Sequence, residues 1–398
     1  MAKNTHLEHL EDDILNLGSE GGKSAIAFLK SLGSMLTQGD KSKSINITTK
    51  WDGAPAIICG TDPSTGMFFV GNKSVFAKTN PKVCVSERGV DKFYPSGGLN
   101  QILKDCLTYL SKLDIDGVIQ GDLLFTENTK SVTMVGGKRC VTFTPNTITY
   151  AIPLDTTLGQ RVNNSKIGIV FHTTYSGSTM EGMSAGFGVD VSPYQGHDDI
   201  AVFSSDFSDT SGVANFTPQE LIKFKSAVNR ADGSLKQASK FLDVMKGSDR
   251  YAFNAIFKQF FNTYIRSGSA IPSTNKVVTD FAKYYVRLID KEIEKKKTEK
   301  AKEKWTKLKD DGMKFIAANQ RSIYMTVAAY KNLSTAKLMV VRQLEKVKDI
   351  GTFIKDGNGY RVTAPEGFVA IKSGRATKLV DRLEFSVANF TVDKNWDK

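Results

Sequence analysis

The chain has 398 residues, 40% of them apolar, enough for two or three hydrophobic cores of a globular protein. No run approaches the roughly eighteen consecutive apolar residues of a membrane-spanning helix, and residues 1–13 are polar and acidic, which argues against a secretory signal and for a cytoplasmic protein. A net charge of +12 points to a polyanionic partner, most simply nucleic acid.

Residues 5–37 read as two helices, one with the apolar stripe Leu7, Leu10, Ile14 and Leu17, the other with Ala25, Phe28, Leu29, Leu32 and Leu36. Between them, residues 18–24 resemble a phosphate-binding loop, but Leu17 stands where its first glycine belongs and a helix, not a strand, precedes it. The segment is therefore expected to be an interhelical turn. His6 and His9 lack a third metal ligand and fit a solvated helix face. The β-branched run 45–49 then predicts a strand that ends at Lys50-Trp51-Asp52-Gly53, and residues 54–59 predict the next. This junction carries a lysine, a carboxylate two residues on along the same face, and a glycine that lets a ligand approach the backbone. The set suits a lysine that attacks phosphorus, which requires the neutral amine and hence nearby cations, a metal or desolvation.

Residues 67–70 and 71–79 are expected to be antiparallel strands, 99–112 an amphipathic helix, and 117–125 an apolar strand interrupted by Gly121 and Asp122. A carboxylate inside such a strand needs a partner, which makes Asp122 a site candidate. Further strands are expected at 141–143, 147–152, 167–171 and 200–203. The Gly-, Ser- and Met-rich segment 176–198 predicts a long loop, either a lid or disordered. His172 and His197 have no partners at metal or triad spacing, and Cys59, Cys84, Cys106 and Cys140 are too dispersed for a zinc site and read as reduced thiols.

From 217 to about 348 the pattern is helical almost throughout, with breaks expected near Gly233, Gly247 and residues 267–269. Residues 291–309 hold nine lysines against four glutamates around Trp305, either a solvated helix or a phosphate-contact surface through Lys295, Lys296, Lys297, Lys300 and Lys304. Strand-like sequence returns at 360–363, 366–372 and 377–381, which can complete the sheet begun before residue 210. The expected organisation is an N-terminal helical segment (1–42), a core in two parts (43–215 and 351–398) and a basic helical insertion between them (216–350).

In order, these pieces resemble the covalent nucleotidyltransferase superfamily, which includes ATP-dependent DNA and RNA ligases and mRNA capping enzymes. Lys50-Trp51-Asp52-Gly53 is similar to its first motif, whose lysine becomes nucleotidylated, and 76–79 to the short motif that follows, with Lys78 where arginine is usual. Residues 118–125 resemble the third motif, with Asp122 where glutamate is usual. The strand with Tyr150 resembles the one whose aromatic ring stacks on the base, and 366–369 the fourth motif, whose glutamate helps hold the metal. Residues 378–380 resemble the fifth motif, with one lysine where ligases often show two. Pro55 departs from the arginine or asparagine common in ligases. The opening T-H-L-E-H-L-E-D and W-D-G-A-P-A are similar to proteins of tailed bacteriophages, which would place the chain in the host cytoplasm.

The resemblance implies an α+β fold: a nucleotidyltransferase (ATP-grasp-like ligase adenylation) core of antiparallel sheets with a large all-α insertion and no C-terminal OB domain. It implies ATP and Mg²⁺ as cofactors and nucleic-acid ends or nicks as partner, with Lys50, Asp52 and Lys378 catalytic. Gly53, Lys78, Asp122, Tyr150, Glu366, Lys372 and Lys378 would contact the nucleotide, and Glu366 the metal. The implied reaction is a polynucleotide ligase reaction through lysyl-AMP, RNA ligase slightly favoured over DNA ligase. The alternatives are an inactive nucleotidyltransferase-fold protein that binds nucleic acid or belongs to a virion, and a GTP-using capping-type transferase.

Overall fold

Ten helices and fourteen strands occupy a computed structural model that describes residues 8–38, 46–135, 137–205, 214–247, 251–272, 275–346, 351–356, 359–362, 367–372 and 375–383. The helices are α1 Asp13–Asn16, α2 Gly18–Gln38, α3 Glu87–Phe93, α4 Gly98–Leu110, α5 Thr157–Asn164, α6 Pro218–Val244, α7 Phe253–Arg266, α8 Lys276–Glu294, α9 Glu299–Ala318 and α10 Gln320–Leu344. The strands are β1 Asn46–Lys50, β2 Ala56–Thr61, β3 Phe68–Gly71, β4 Val118–Thr126, β5 Lys130–Val135, β6 Lys138–Phe143, β7 Thr149–Pro153, β8 Ile167–Ser176, β9 Ser184–Phe187, β10 Ile200–Ser204, β11 Gly351–Asp356, β12 Gly359–Val362, β13 Gly367–Lys372 and β14 Arg375–Leu379. The fold mixes α and β, and none of its described helices is long and apolar enough to cross a membrane.

The strands form three sheets, in the orders β1-β13-β14, β10-β8-β4-β2-β3 with β9 on β8, and β12-β11-β7-β6-β5. Only the β10–β8 pair is parallel among the described pairs. Five of the nine residues of β4 are apolar, and both its faces are covered. Ile119 and Leu123 pack toward Leu103, Cys106 and Leu110 of α4, and Leu124 and Phe125 pack toward Phe143 and Tyr150 of the five-stranded sheet. After the helical block the chain returns to both earlier sheets, β11 pairing with β7 and β13 with β1. Helices α6, α7, α8 and α10 share one apolar core with α2, and Phe368, Ala370 and Leu379 of β13 and β14 join it.

Three local expectations change. Residues 18–24 are the first turns of α2 and not a turn between helices. Their glycines serve packing: a Cβ on Gly21 would lie 2.0 Å from the Asp13 carbonyl, and one on Gly22 2.5 Å from Leu235. Residues 73–76 form a 3-10 turn where a strand was expected, because the Asn72 side chain caps it by accepting from the Ser74 N–H at 2.9 Å. The segment 176–198 contains β9, paired with β8, and two short 3-10 turns. All four cysteines are free and buried.

Residues 8–12 tie the helices to the sheet. Glu11 accepts from Lys337 Nζ at 2.7 and 2.9 Å, with both side chains out of reach of water. Asp12 accepts from the Tyr330 hydroxyl at 2.9 Å and from Arg382 at 3.1 Å, and Glu8 accepts from Lys258 at 2.6 Å. The Glu8 carbonyl then accepts from the Lys378 N–H at 3.0 Å, and His9 bridges β14. His9 is thus a sheet-edge residue and not part of a solvated helix face; His6 lies outside the described residues. Burial, helped by Lys337, Arg382, Lys378 and Lys258, holds the His9 imidazole well below its ordinary pKa.

Two outcomes are expected. Lys337→Met leaves a buried carboxylate unpaired and lowers stability by about 3–5 kcal/mol in urea titration, whereas Glu11→Leu/Lys337→Met recovers most of the loss. Because the unfolded state protonates His9 first, wild-type stability falls as pH drops below about 6.5, by at most about 1.4 kcal/mol per pH unit from this group; His9→Asn flattens that slope in the same titration.

Candidate active site at the Lys50 turn

Strand β1 delivers Lys50 to the point where it pairs with Gly367 of β13. Thr48 pairs with Val369, and Val369 with Lys378 of β14. Paired residues share a face and alternate residues return to it, so Lys50 and Lys378 occupy one face of the three-stranded sheet with β13 between them. Gly367 has a φ of +139°, and a Cβ there would lie 2.4 Å from the Leu379 carbonyl, so this pairing needs glycine. Glu366, the expected metal ligand, lies outside the described residues. Lys372 pairs with Arg375 at the far end of β13, about 16 Å along the strand from Gly367. The register therefore separates Lys372 from the pair of lysines.

Beyond Lys50 the chain turns onto β4. The Ala54 N–H donates to the Leu123 carbonyl at 3.0 Å, and the Leu123 N–H to the Pro55 carbonyl at 3.1 Å. Gly53 is pressed so close that an added Cβ would lie 2.5 Å from Cβ of Asp122. The Asp122 carboxylate, partly open to solvent, lies 3.5 Å from His172 Nε2. A register shift makes this contact: Gln120 faces Thr173 and Gly121 faces Phe171, which leaves His172 as the extra residue of a bulge. Its Nδ1 meets the Thr173 hydroxyl at 2.8 Å, which fixes the ring. His172 carries no motif in the sequence; the bulge alone aims it at Asp122.

Asp52 and Tyr150, expected to face a ligand, are both engaged in holding the turn. Asp52 is buried and accepts four hydrogen bonds: from Asn146 Nδ2 at 2.8 Å, the Thr147 N–H and hydroxyl at 2.7 Å each, and the Ile148 N–H at 2.8 Å. Tyr150 is 2% exposed; its hydroxyl accepts from the Asp52 N–H at 2.8 Å and its ring lies between Trp51 and Phe143. A ring so enclosed offers no face to a base. The half-buried Phe76 packs 4.6 Å from Tyr175, whose hydroxyl donates to Gln120 two residues from Asp122. Lys78 is exposed two residues after Phe76.

The helical lysines divide into two sets. Lys295 and Lys296 reach Glu292 at 2.7 and 3.6 Å, and Lys296 also lies 4.8 Å over Trp305. These two are engaged within the protein, whereas Lys297, Lys300 and Lys304 are exposed. Among the described residues no three His, Cys, Asp or Glu side chains gather as a metal site. The Lys50 turn thus offers two cations on one sheet face beside a carboxylate–imidazole pair, suited to a ligand that carries phosphate and hydroxyl groups.

The chain belongs to a protein family of unknown function (DUF6267), whose model matches residues 4–394. No curated protein and no solved structure matches it. If Asp52 anchors the turn, Asp52→Ala strands several buried donors and costs about 3 kcal/mol in denaturant titration, and Tyr150→Phe about 1 kcal/mol. Unchanged stability in both variants would return Asp52 and Tyr150 to ligand-facing roles.

Proposed function

We propose that the protein is an ATP-dependent polynucleotide ligase that works through a lysyl-AMP intermediate on Lys50. The observation that carries this reading is the sheet register that sets Lys50 and Lys378 on one face beside the Gly53–Asp122 contact. Segments that resemble the first, third and fifth motifs of covalent nucleotidyltransferases, far apart in the chain, meet at that point.

In this reading ATP is the first substrate. The Lys50 amine attacks the α-phosphorus, an N–P bond forms, the bond to the β-phosphate oxygen breaks, and the amine releases a proton as pyrophosphate leaves. Lys378 stabilises charge on the α-phosphate. Gly53 lets the nucleotide approach the backbone, Asp122 accepts from a ribose hydroxyl, and His172 holds the Asp122 carboxylate in place. Lys78 lies at the phosphate side and Phe76 supplies the face for the base. AMP then passes to a 5′-phosphate, and a 3′-hydroxyl displaces it to join the strand. Mg²⁺ commonly takes only one or two protein carboxylates and completes its shell with phosphate and water, and the accessible Asp122 fits that need. When bound it would offset phosphate charge.

A second reading, an inactive nucleotidyltransferase-fold protein that binds nucleic acid, draws on the burial of Tyr150. The readings separate on incubation with α-labelled ATP or GTP and Mg²⁺ after pyrophosphate stripping, followed by denaturing electrophoresis. The ligase reading expects an acid-labile adduct with ATP that Lys50→Ala abolishes and Lys378→Ala reduces by about 100-fold. An adduct with GTP alone selects a capping-type transferase, and no adduct with either nucleotide selects the binding protein.

A further inference from the structure

Away from the Lys50 turn, helices α7 and α8 enclose an open groove of about 470 Å³. Lys283, Arg287 and Lys291 line it from α8, each four residues from the next and each exposed. That spacing stacks them on one helix face at steps of about 6 Å, comparable with the step between phosphates of an extended strand. None of the three makes an ion pair among the described residues. Asp280, the carboxylate of the lining, is taken by Lys276 at 2.5 Å and by the Tyr264 hydroxyl at 3.2 Å. Beside the cations, Tyr264 and Tyr284 are half-buried, held 5.3 and 5.5 Å from the buried ring of Phe260.

We propose that this groove binds a single-stranded polynucleotide, with its phosphates along Lys283, Arg287 and Lys291 and its bases against Tyr264 and Tyr284. A row of cations beside supported aromatic rings is the combination that single strands need, since every base has a face that stacks. In a duplex the bases are already stacked on one another and the rings have nothing to meet. An anionic membrane would use the charges but is too flat to enter a concave groove. The groove differs from the lysine-rich connection between α8 and α9, where Lys295 and Lys296 are already engaged with Glu292. The proposal deepens the ligase reading by naming the surface that holds its substrate, and binding is measured without transfer chemistry so that the two ideas fail separately.

The test is fluorescence anisotropy of labelled oligouridylate and oligothymidylate against the full chain between about 50 and 200 mM salt. Lys283→Gln/Arg287→Gln/Lys291→Gln should flatten the salt dependence of log K by about 2, at about 0.7 per lost phosphate contact. Tyr284→Leu should weaken binding about tenfold with the slope unchanged, and Tyr284→Phe should restore it. Lys50→Ala should bind like the wild type even if it forms no adduct. Equal weakening by Lys297→Gln/Lys300→Gln/Lys304→Gln would overturn the assignment, as would competition by duplex DNA or phosphatidylserine vesicles that matches unlabelled single strand. If Tyr284→Leu does not fold, the three exposed α8 substitutions decide the matter alone.

Discussion

Glu11 and Lys337 meet where neither touches water, and the rest of the structure hangs on that contact. A buried ion pair adds little net stability over a well-packed apolar pair, but losing one partner is severe. Here it selects how residues 8–12 dock on α10. With Asp12 on Tyr330 and Arg382, and Glu8 on Lys258, the same five residues reach two helices and the C-terminal strands. The Glu8 carbonyl, bonded to the Lys378 N–H, carries that constraint to the strand that presents Lys378. The helical block is thus mechanically continuous with the candidate site, although no helix of that block supplies a residue to it.

The site depends on a second constraint, the close approach of the Lys50 turn to β4. Gly53 touches Asp122 because it has no side chain, and the buried Asp52 clamps the other flank to residues 146–148. Trp51, packed between Tyr150 and Phe203, fills the space beneath. Lys50 thus stands at the head of a turn fixed on both flanks. The motif's aspartate spends its lone pairs on the fold, and the bulge at His172 supplies the polar partner that Asp122 requires.

Positive charge is unevenly available for partners. Lysines around α9 are partly neutralised by carboxylates three or four residues away and by Trp305, the usual state of a solvated helix. Among the described residues the α8 stripe makes no ion pair, and it lies beside aromatic rings. The net charge of +12 therefore describes composition, while the groove gives part of it a direction.

Apolar period located the helical block from 217 to about 348, though not its division into α6 to α10 nor the passage of α6 through Gly233, and the strands at β1, β2, β4 and β7, because those patterns are set by neighbours within a turn or two of the chain. The Lys50 turn was legible as a lysine, carboxylate and glycine between two strands. What only the tertiary structure decided lies at long separation. Asp52 finds its donors about 95 residues away, and Glu11 finds Lys337 326 residues away. Sequence period has no information on such pairs, since it records which face is apolar and not what covers it. Likewise the strand pattern admits Asp122 as a buried cost or a site, and the bulge that brings His172 to it exists only in the register between β4 and β8. Local chemistry wrote the elements; contact across the chain assigned their residues to fold or to function.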